Sequence, residues 1–309
     1  MRVLFLGTPD FAVPSLDALL RGPDEVAAVV TPPDRPSGRG RRLERPAVAR
    51  RAKERGVPLL QPERLHSPET LAILRDLGID LAVTCAFGRL LRQSLLDLPR
   101  LGCLNVHASL LPRHRGAAPI PRAILEGDGW TGITIFRLDA GMDTGPILLQ
   151  RMEPIGRDDT TGSLTARLAT LGGEALREAC DRLRDGTAAF RPQEEERATY
   201  APTLAKEDGR CSFSRPADQV DRFVRAMHPW PGATCRFRAE PLKILHVEPL
   251  DLVPRDDPPG TFLPGAEPVV AARPGRVRLR VVQPAGKKEM DAASWARGAR
   301  IEPGERLDG

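Results

Sequence analysis

Short apolar runs alternate with amphipathic stretches from the start of the chain to about residue 107. RVLFLG (2–7) and EVAAVVT (25–31) flank a helical pattern that begins near Pro14, which gives the order strand, helix, strand. Two further apolar runs end at Cys85 and His107. This alternation predicts a Rossmann-like, mostly parallel α/β sheet with helices on both faces, in which ligands bind beyond the carboxyl ends of the strands.

The pattern changes after about residue 107. Two β-forming runs after Gly129 predict a strand pair near the edge of the sheet, and a long amphipathic helix ends this domain at Gly186. Residues 187–205 have no periodicity and contain three adjacent glutamates, which predicts an extended linker. Short β-forming segments between prolines and glycines then indicate a small, OB-like β-barrel. We therefore predict a sheet domain over 1–186, a linker and a barrel domain over 206–309.

The composition is typical of a soluble globular protein. Hydrophobic residues make up 41% of the 309 residues and charged residues 28%. Only four consecutive apolar residues precede Gly7, too few for the apolar core of a signal peptide or for a membrane span, so we expect a cytoplasmic protein. The five cysteines form no CxxC pair, which favours reduced thiols over disulfides or a zinc site.

Polar side chains end the apolar strand LNVH and point to chemistry. Asn105 and His107 share one face, because residues two apart in a strand do so, and Asp143 lies in the glycine-rich turn DAGMDTG. A carboxylate near an imidazole favours the protonated form or fixes the tautomer, and an amide can donate to an oxyanion. The three residues could therefore catalyse acyl transfer. A purely structural role for the same pattern stays open.

Other chemistries have less support in the sequence. Ser109 lacks the GxSxG turn of serine nucleophiles, and nothing around Cys103 marks a nucleophilic thiol. A zinc site would need a third ligand at a useful spacing from His107, and neither Cys103 nor His114 provides one. We expect neither a covalent intermediate nor a metal.

One segment is strongly basic within a chain of net charge +5. Between Asp34 and Arg55, nine basic residues accompany three acidic ones. Prolines and glycines in this segment predict an irregular loop that carries Arg39, Arg41 and Arg42. Two interpretations stay open: contact with a polyanion, or the arginine-rich composition of a chain that has only five lysines.

Two motifs, NVHASLLPRHRGAAPI and DAGMDTGPI, closely resemble the folate-dependent formyltransferases. The resemblance covers nearly the whole chain, and four more segments resemble the branch of that family that acts on methionyl-tRNA: FLGTPDFAVPSLDALL, TPPDRPSGRGRRL, HPWPGA and QPAGKKEM. Two positions depart from the family pattern, with His114 in place of a tryptophan and Phe87 in place of a tyrosine.

The resemblance implies a role for each matching residue. An Asn, His and Asp set is catalytic in the family, which corresponds to Asn105, His107 and Asp143. The resemblance also implies folate contacts for Ser109, Leu110, Leu111 and Pro112, and tRNA contacts for Phe11, Arg39, Arg41, Arg42, Lys287 and Lys288.

The implied reaction transfers the formyl group of 10-formyltetrahydrofolate to the amino group of methionyl initiator tRNA, for translation initiation. The amine attacks directly, and we expect a monomer that acts without a metal or a membrane. Two alternatives stay open. One is the same chemistry on an amino-sugar nucleotide, glycinamide ribonucleotide or another small amine, and the other is an RNA-binding module without catalysis.

Overall fold

The computed structural model describes residues 1–37, 42–254 and 256–308. Strands and helices alternate in its N-terminal part. In chain order these elements are β1 (Arg2–Gly7), α1 (Val13–Arg21), β2 (Glu25–Val30), β3 (Arg35–Ser37), β4 (Arg42–Glu44), α2 (Ala47–Glu54), β5 (Leu59–Leu60), α3 (Pro68–Asp76), β6 (Leu81–Cys85), α4 (Gln93–Leu96), β7 (Cys103–His107), α5 (Pro119–Glu126), β8 (Trp130–Arg137), β9 (Ile147–Pro154) and α6 (Thr161–Arg184).

Within the described residues, seven of these strands form one sheet in the order β5-β2-β1-β6-β7-β8-β9. Neighbours from β5 to β7 pair in parallel, whereas β8 and β9 run antiparallel at one edge. All residues of β1 and β2 after the first are buried, as expected for parallel strands that helices cover on both faces. The prediction of a mostly parallel α/β sheet with a strand pair at its edge is confirmed.

Two adjacent glycines let α6 approach both the sheet and α1 closely. A Cβ on Gly172 would lie 3.0 Å from Val106 Cγ1 on β7, and a Cβ on Gly173 would lie 2.8 Å from the Pro14 carbonyl oxygen. A glycine in a helix interior costs about 1 kcal/mol relative to alanine. The close packing explains why this helix nevertheless has glycine at both positions.

Strands β3 and β4 form a separate antiparallel ribbon on either side of residues 38–41. Arg35 pairs with Glu44, and Ser37 pairs with Arg42. The sequence predicts an irregular loop here. The structure instead has two paired strands, at residues 35–37 and 42–44, on either side of residues 38–41. The proline in β3 is compatible with such a ribbon because each strand has one edge at which no N–H donor is needed.

The C-terminal part of the chain is mostly antiparallel. Its elements are α7 (Ala217–Ala226), β10 (Ala233–Phe237), β11 (Glu240–Asp251), β12 (Val269–Ala271), β13 (Arg276–Pro284), β14 (Met290–Asp291), α8 (Ala292–Ala299) and β15 (Leu307–Asp308). Within the described residues, the strands follow the order β12-β13-β11-β10-β15, and β14 pairs with β13.

Residues 260–263 connect the two outer strands of this sheet. Their backbone bonds to β12 on one side and to the segment that ends in β15 on the other. The sheet thereby closes into a small barrel, whose core includes the packed rings of Phe237, Phe262 and Trp295. The prediction of a C-terminal β-barrel is confirmed.

The chain folds as two compact units that each draw on several stretches of sequence. The first unit contains the seven-stranded sheet and comprises Met1–Pro119, Trp130–Pro154 and Thr165–Pro202. The second unit contains the barrel and comprises Ile120–Gly129, Ile155–Leu164 and the residues from Thr203 onward. In the part of the chain that the structure describes, no helix has the length and apolar character needed to cross a bilayer.

Candidate active site

The candidate site lies at the carboxyl end of β7, where the core of the first unit gives way to polar side chains. Cys103 packs in a buried cluster with Leu4 of β1 and Ala82 of β6. Asn105 and His107 follow on the same face of β7, because side chains alternate along a strand. The polar end of the strand therefore continues a row that begins with core residues.

A neighbouring strand fixes the orientation of the Asn105 side chain. Thr84 lies beside Asn105 in the register of β6 and β7, and its hydroxyl donates to Asn105 Oδ1 over 2.7 Å. The amide oxygen is thus used as an acceptor. No described residue accepts a hydrogen bond from Asn105 Nδ2, so this N–H group is available to donate to a ligand.

The contacts of His107 define its tautomer. Nε2 lies 2.9 Å from the backbone oxygen of His114, and a carbonyl only accepts, so Nε2 carries a hydrogen. Nδ1 lies 3.6 Å from Asp143 Oδ2, and only 6% of the His107 side chain and 15% of the Asp143 side chain are exposed. Nδ1 is therefore the ring nitrogen that can take up or release a proton beside the carboxylate.

The loop around Asp143 aims its carboxylate at His107. Asp143 has a φ of 57°, in the left-handed region, which costs a non-glycine residue about 1 kcal/mol. The backbone N–H of Gly116 donates to Asp143 Oδ2 over 2.8 Å. Gly145 approaches the Arg137 carbonyl so closely that a Cβ has no room, which explains the glycine at this position.

Residues 109–112, for which the resemblance implies folate contacts, form a turn after β7. Ser109 Oγ donates to the Arg113 carbonyl over 2.6 Å, so its hydroxyl hydrogen is used within the turn. Leu111 is 3% exposed and packs with Phe136, whereas Leu110 and Pro112 are half-buried. Leu110 and Pro112 thus retain surface that a ligand can contact, and Leu111 belongs to the core.

Side chains from β8 and β9 brace this turn. Thr134 donates to the Ser109 carbonyl over 2.6 Å and accepts from Leu111 N over 3.1 Å. Gln150 donates to the Leu111 carbonyl over 2.9 Å, and Arg191 donates to Gln150 Oε1 over 2.5 Å. The turn is therefore held by side chains as well as by its own backbone.

Arg115 has no exposed side-chain surface, although it is charged. Its guanidinium donates to the two Glu195 oxygens over 2.7 and 2.8 Å and to Gln193 Oε1 over 2.9 and 3.1 Å. The hydrogen bonds between Arg115 and Glu195 raise the pKa of Arg115 and lower the pKa of Glu195. The Arg115 backbone also bonds to Thr199 and Ala201, so residues 191–201 are tied to the segment that follows β7.

The residues with implied tRNA contacts lie in several elements. Phe11 is half-buried in a short helical turn, Asp10–Ala12. Lys287 and Lys288 are exposed in the connection between β13 and β14 of the second unit. The backbone of Arg42 belongs to β4, whereas Arg39 and Arg41 lie outside the described residues.

Three buried positions bear on the alternatives raised by the sequence. Burial raises the pKa of the Cys103 thiol to about 12 and leaves the residue 1% exposed, which makes it unsuited to act as a nucleophile. Phe87 packs in the same apolar cluster as Cys103. His114 is 2% exposed, so both departures from the family pattern are core positions.

Sequence reasoning missed the residues that brace the site, namely Thr84, Arg115, Thr134, Gln150 and Gln193. Thr84 had a usable signal, because it is a polar residue near the end of the apolar run LAVTC, as Asn105 is a polar residue within the run LNVH. The other four act through partners that are distant in the sequence, and no local pattern marks such pairs.

Comparison with known proteins identifies the family. The sequence model described as formyl transferase matches residues 1–180, and the model of the formyl transferase C-terminal domain matches residues 203–300. The chain belongs to the formyl transferase family. The matched ranges cover Asn105, His107 and Asp143 and most of the barrel, whereas Gln193 lies between the two ranges.

Two relatives are similar to the chain in sequence over nearly its whole length, and one solved structure shares its fold. A methionyl-tRNA formyltransferase from Thermobifida fusca is 50% identical over an alignment of 309 positions that covers 99% of each chain. A methionyl-tRNA formyltransferase from Roseiflexus castenholzii is 45% identical over 100% of this chain and 99% of the relative. The sugar 3N-formyl transferase WlaRD, crystallised with dTDP and 5-N-formyl-THF, shares the fold with a TM-score of 0.67, 16% identity and coverage of 93% and 99% of the two chains.

Proposed function

We propose that the chain transfers the formyl group of 10-formyltetrahydrofolate to the amino group of methionyl initiator tRNA, giving N-formylmethionyl-tRNA for translation initiation. One observation carries the proposal: the 50% identity to a methionyl-tRNA formyltransferase extends over 99% of both chains. The sugar formyl transferase WlaRD also covers 93% of the chain, but with 16% identity, so the level of identity and not the coverage supports methionyl-tRNA as the acceptor.

The site residues supply two functions that such a transfer requires. When the amine attacks the formyl carbon, negative charge develops on the formyl oxygen, and the available Nδ2 of Asn105 can donate to it. The attacking nitrogen must lose a proton and the departing nitrogen must gain one. His107 Nδ1, beside Asp143, is suited to take up and return that proton.

The tetrahydrofolate cosubstrate would contact the turn of residues 109–112 through the half-buried Leu110 and Pro112. For the tRNA we propose Phe11 at the entrance for the aminoacyl end and phosphate contacts by Arg39, Arg41, Arg42, Lys287 and Lys288. Phosphate contacts of this kind add affinity that falls with increasing salt. The barrel domain, from residue 206 onward, would then contribute to acceptor binding.

Formyl transfer to a panel of acceptors tests the proposal. The full-length chain is assayed with 10-formyltetrahydrofolate and methionyl initiator tRNA, a dTDP-linked amino sugar or glycinamide ribonucleotide. Of these three acceptors, we expect only methionyl initiator tRNA to be formylated. Preferred transfer to either small amine would replace the proposed acceptor, and binding of tRNA without any transfer would favour the noncatalytic alternative.

A further inference from the structure

Gln193 uses every hydrogen-bonding position of its side-chain amide within the first unit. Nε2 donates to the carbonyl oxygens of Asp143 and Gly145, each over 2.8 Å. Oε1 accepts from two nitrogens of Arg115, over 2.9 and 3.1 Å. A side-chain amide offers two N–H donors and two lone pairs, so all four are occupied.

These bonds complete a ring of contacts around His107 and Asp143. Arg115 is flanked by His114, whose carbonyl accepts from His107 Nε2, and by Gly116, whose N–H donates to Asp143 Oδ2. Gln193 then joins the Arg115 side chain to the backbone of the Asp143 loop. The ring therefore fixes the spacing between the imidazole and the carboxylate.

The conformation of Asp143 makes this support necessary. Its φ of 57° is unfavourable for a residue with a side chain, and such conformations persist where the surrounding structure holds them. The Gly116 N–H holds the carboxylate of Asp143, and the Gln193 amide holds its carbonyl. Loss of the second contact removes a restraint on the peptide after Asp143, and rotation of that peptide would move the carboxylate away from His107 Nδ1.

We propose that Gln193 is a positioning residue for formyl transfer, which holds the Asp143 loop so that the carboxylate faces His107. The kinetic part of this inference rests on the proposed function, whereas its structural part does not. The competing explanation is that Gln193 only fastens residues 191–201 to the first unit. Both explanations allow a loss of stability, but only positioning couples Gln193 to Asp143.

Gln193→Glu is the sharpest variant, because it keeps oxygen acceptors for the buried Arg115 and removes both donors to the Asp143 loop. We expect faster hydrogen exchange at the Gly116 amide, and a kcat lowered by about 100-fold with the KM for both substrates unchanged. Glu194→Gln is the matched control. Glu194 is adjacent to Gln193, and it forms an exposed ion pair with Arg197 that touches no site residue. This control should keep the exchange and kcat of the unsubstituted chain.

A double-mutant cycle with Asp143→Asn separates the two explanations. If Gln193 acts through Asp143, Gln193→Glu lowers the single-turnover rate much less in the Asp143→Asn background than in the unsubstituted chain. An equal fold-loss in both backgrounds would overturn the inference, as would unchanged exchange at Gly116 in Gln193→Glu. Gln193→Leu, which adds no negative charge beside Asp143, repeats the cycle, and coupling seen with Gln193→Glu alone would be charge repulsion and would overturn the inference. An unsubstituted chain without formyl transfer would instead contradict the proposed function, and the exchange measurement would still decide the positioning of the loop.

Discussion

Arg115 of the first unit and the arginines of one barrel strand form opposite kinds of contact. In the first unit, Arg115 has no exposed side-chain surface, and its partners Gln193 and Glu195 lie 78 and 80 residues further along the chain. In the second unit, Arg276 and Arg280 of β13 are 42% and 41% exposed and pair with acidic residues of the adjacent strand β11. One arrangement joins distant segments, and the other lines the surface of a sheet.

The physical consequences of the two arrangements differ. A buried polar group that loses its partner keeps the cost of its desolvation, about 1–3 kcal/mol, whereas an exposed ion pair contributes about 0–1 kcal/mol because water replaces either partner. The contacts of the buried Arg115 side chain can therefore dictate where a loop lies, and the exposed pairs on the barrel strand cannot. Substitutions in both units should show this contrast.

The largest effect is expected where the buried polar groups of the first unit touch the proposed reaction. His107→Ala or Asp143→Asn should lower the rate of formyl transfer by about 1,000-fold, because each removes a group needed to move a proton. Asp251→Asn is the matched carboxylate on the barrel, and it should stay near the unsubstituted rate. The measurement is steady-state transfer to methionyl-tRNA, with circular dichroism as the check of folding. Near-normal turnover in a folded His107→Ala or Asp143→Asn variant would remove the catalytic role.

Asn105 and Thr84 provide a graded test of the same contrast. Asn105→Ala should cost about 100-fold in kcat if its Nδ2 donates to the developing oxyanion. Thr84→Val keeps the Asn105 amide but removes the hydrogen bond that orients it, so we expect a loss of about tenfold, in line with one hydrogen bond. A larger loss for Thr84→Val than for Asn105→Ala would argue that Thr84 has a role beyond orientation.

The sheet and the barrel could be predicted because their signals are local. An apolar run such as RVLFLG predicts a buried strand whichever strand it pairs with. The helix that follows this run begins at Val13, next to the predicted start at Pro14. The ribbon at Arg35–Ser37 differs from the prediction because its strands pair across residues whose composition is that of a loop. The helix Ala292–Ala299 gave too short a pattern to be distinguished from the strands around it.

The candidate site likewise contains residues that a local pattern marks and residues that only distant contacts mark. Asn105 and His107 could be found because they interrupt an apolar strand two positions apart. Gln193 could not, because its bonds to the Asp143 loop span 50 residues and its sequence neighbours are three glutamates without periodicity. The burial of Arg115 could not be predicted from the sequence either, since a charged residue in a polar run is normally exposed. Three-dimensional pairing, and not residue type, assigns these residues to the site.

A direct measure of the contrast is the stability cost of removing one arginine from each unit. Arg115→Met should lower the free energy of unfolding by about 2 kcal/mol, because the partly buried Gln193 oxygen loses its two donors on Arg115. Arg280→Met should cost at most about 1 kcal/mol, since its partner Glu248 is partly exposed and can bond to water. Urea unfolding of the full chain measures both variants. Equal costs for the two substitutions would break the comparison.

The smallest effect is expected within the second unit, where unpaired lysines can be compared with paired arginines. Lys287 and Lys288 are exposed and form no ion pair with any described residue, whereas Arg280 is paired with Glu248 and Glu267. A charge that is already neutralised by an acid releases few counterions when a phosphate approaches, but a free lysine releases about one.

Lys287→Ala and Lys288→Ala should therefore each lower tRNA affinity only modestly and flatten its logarithmic dependence on salt by about one unit per lost contact. Arg280→Ala should leave that slope unchanged. Binding of methionyl initiator tRNA across a salt series measures all three, and a flattened slope for Arg280→Ala alone would assign the phosphate contact to the barrel strand instead of the connection that follows it.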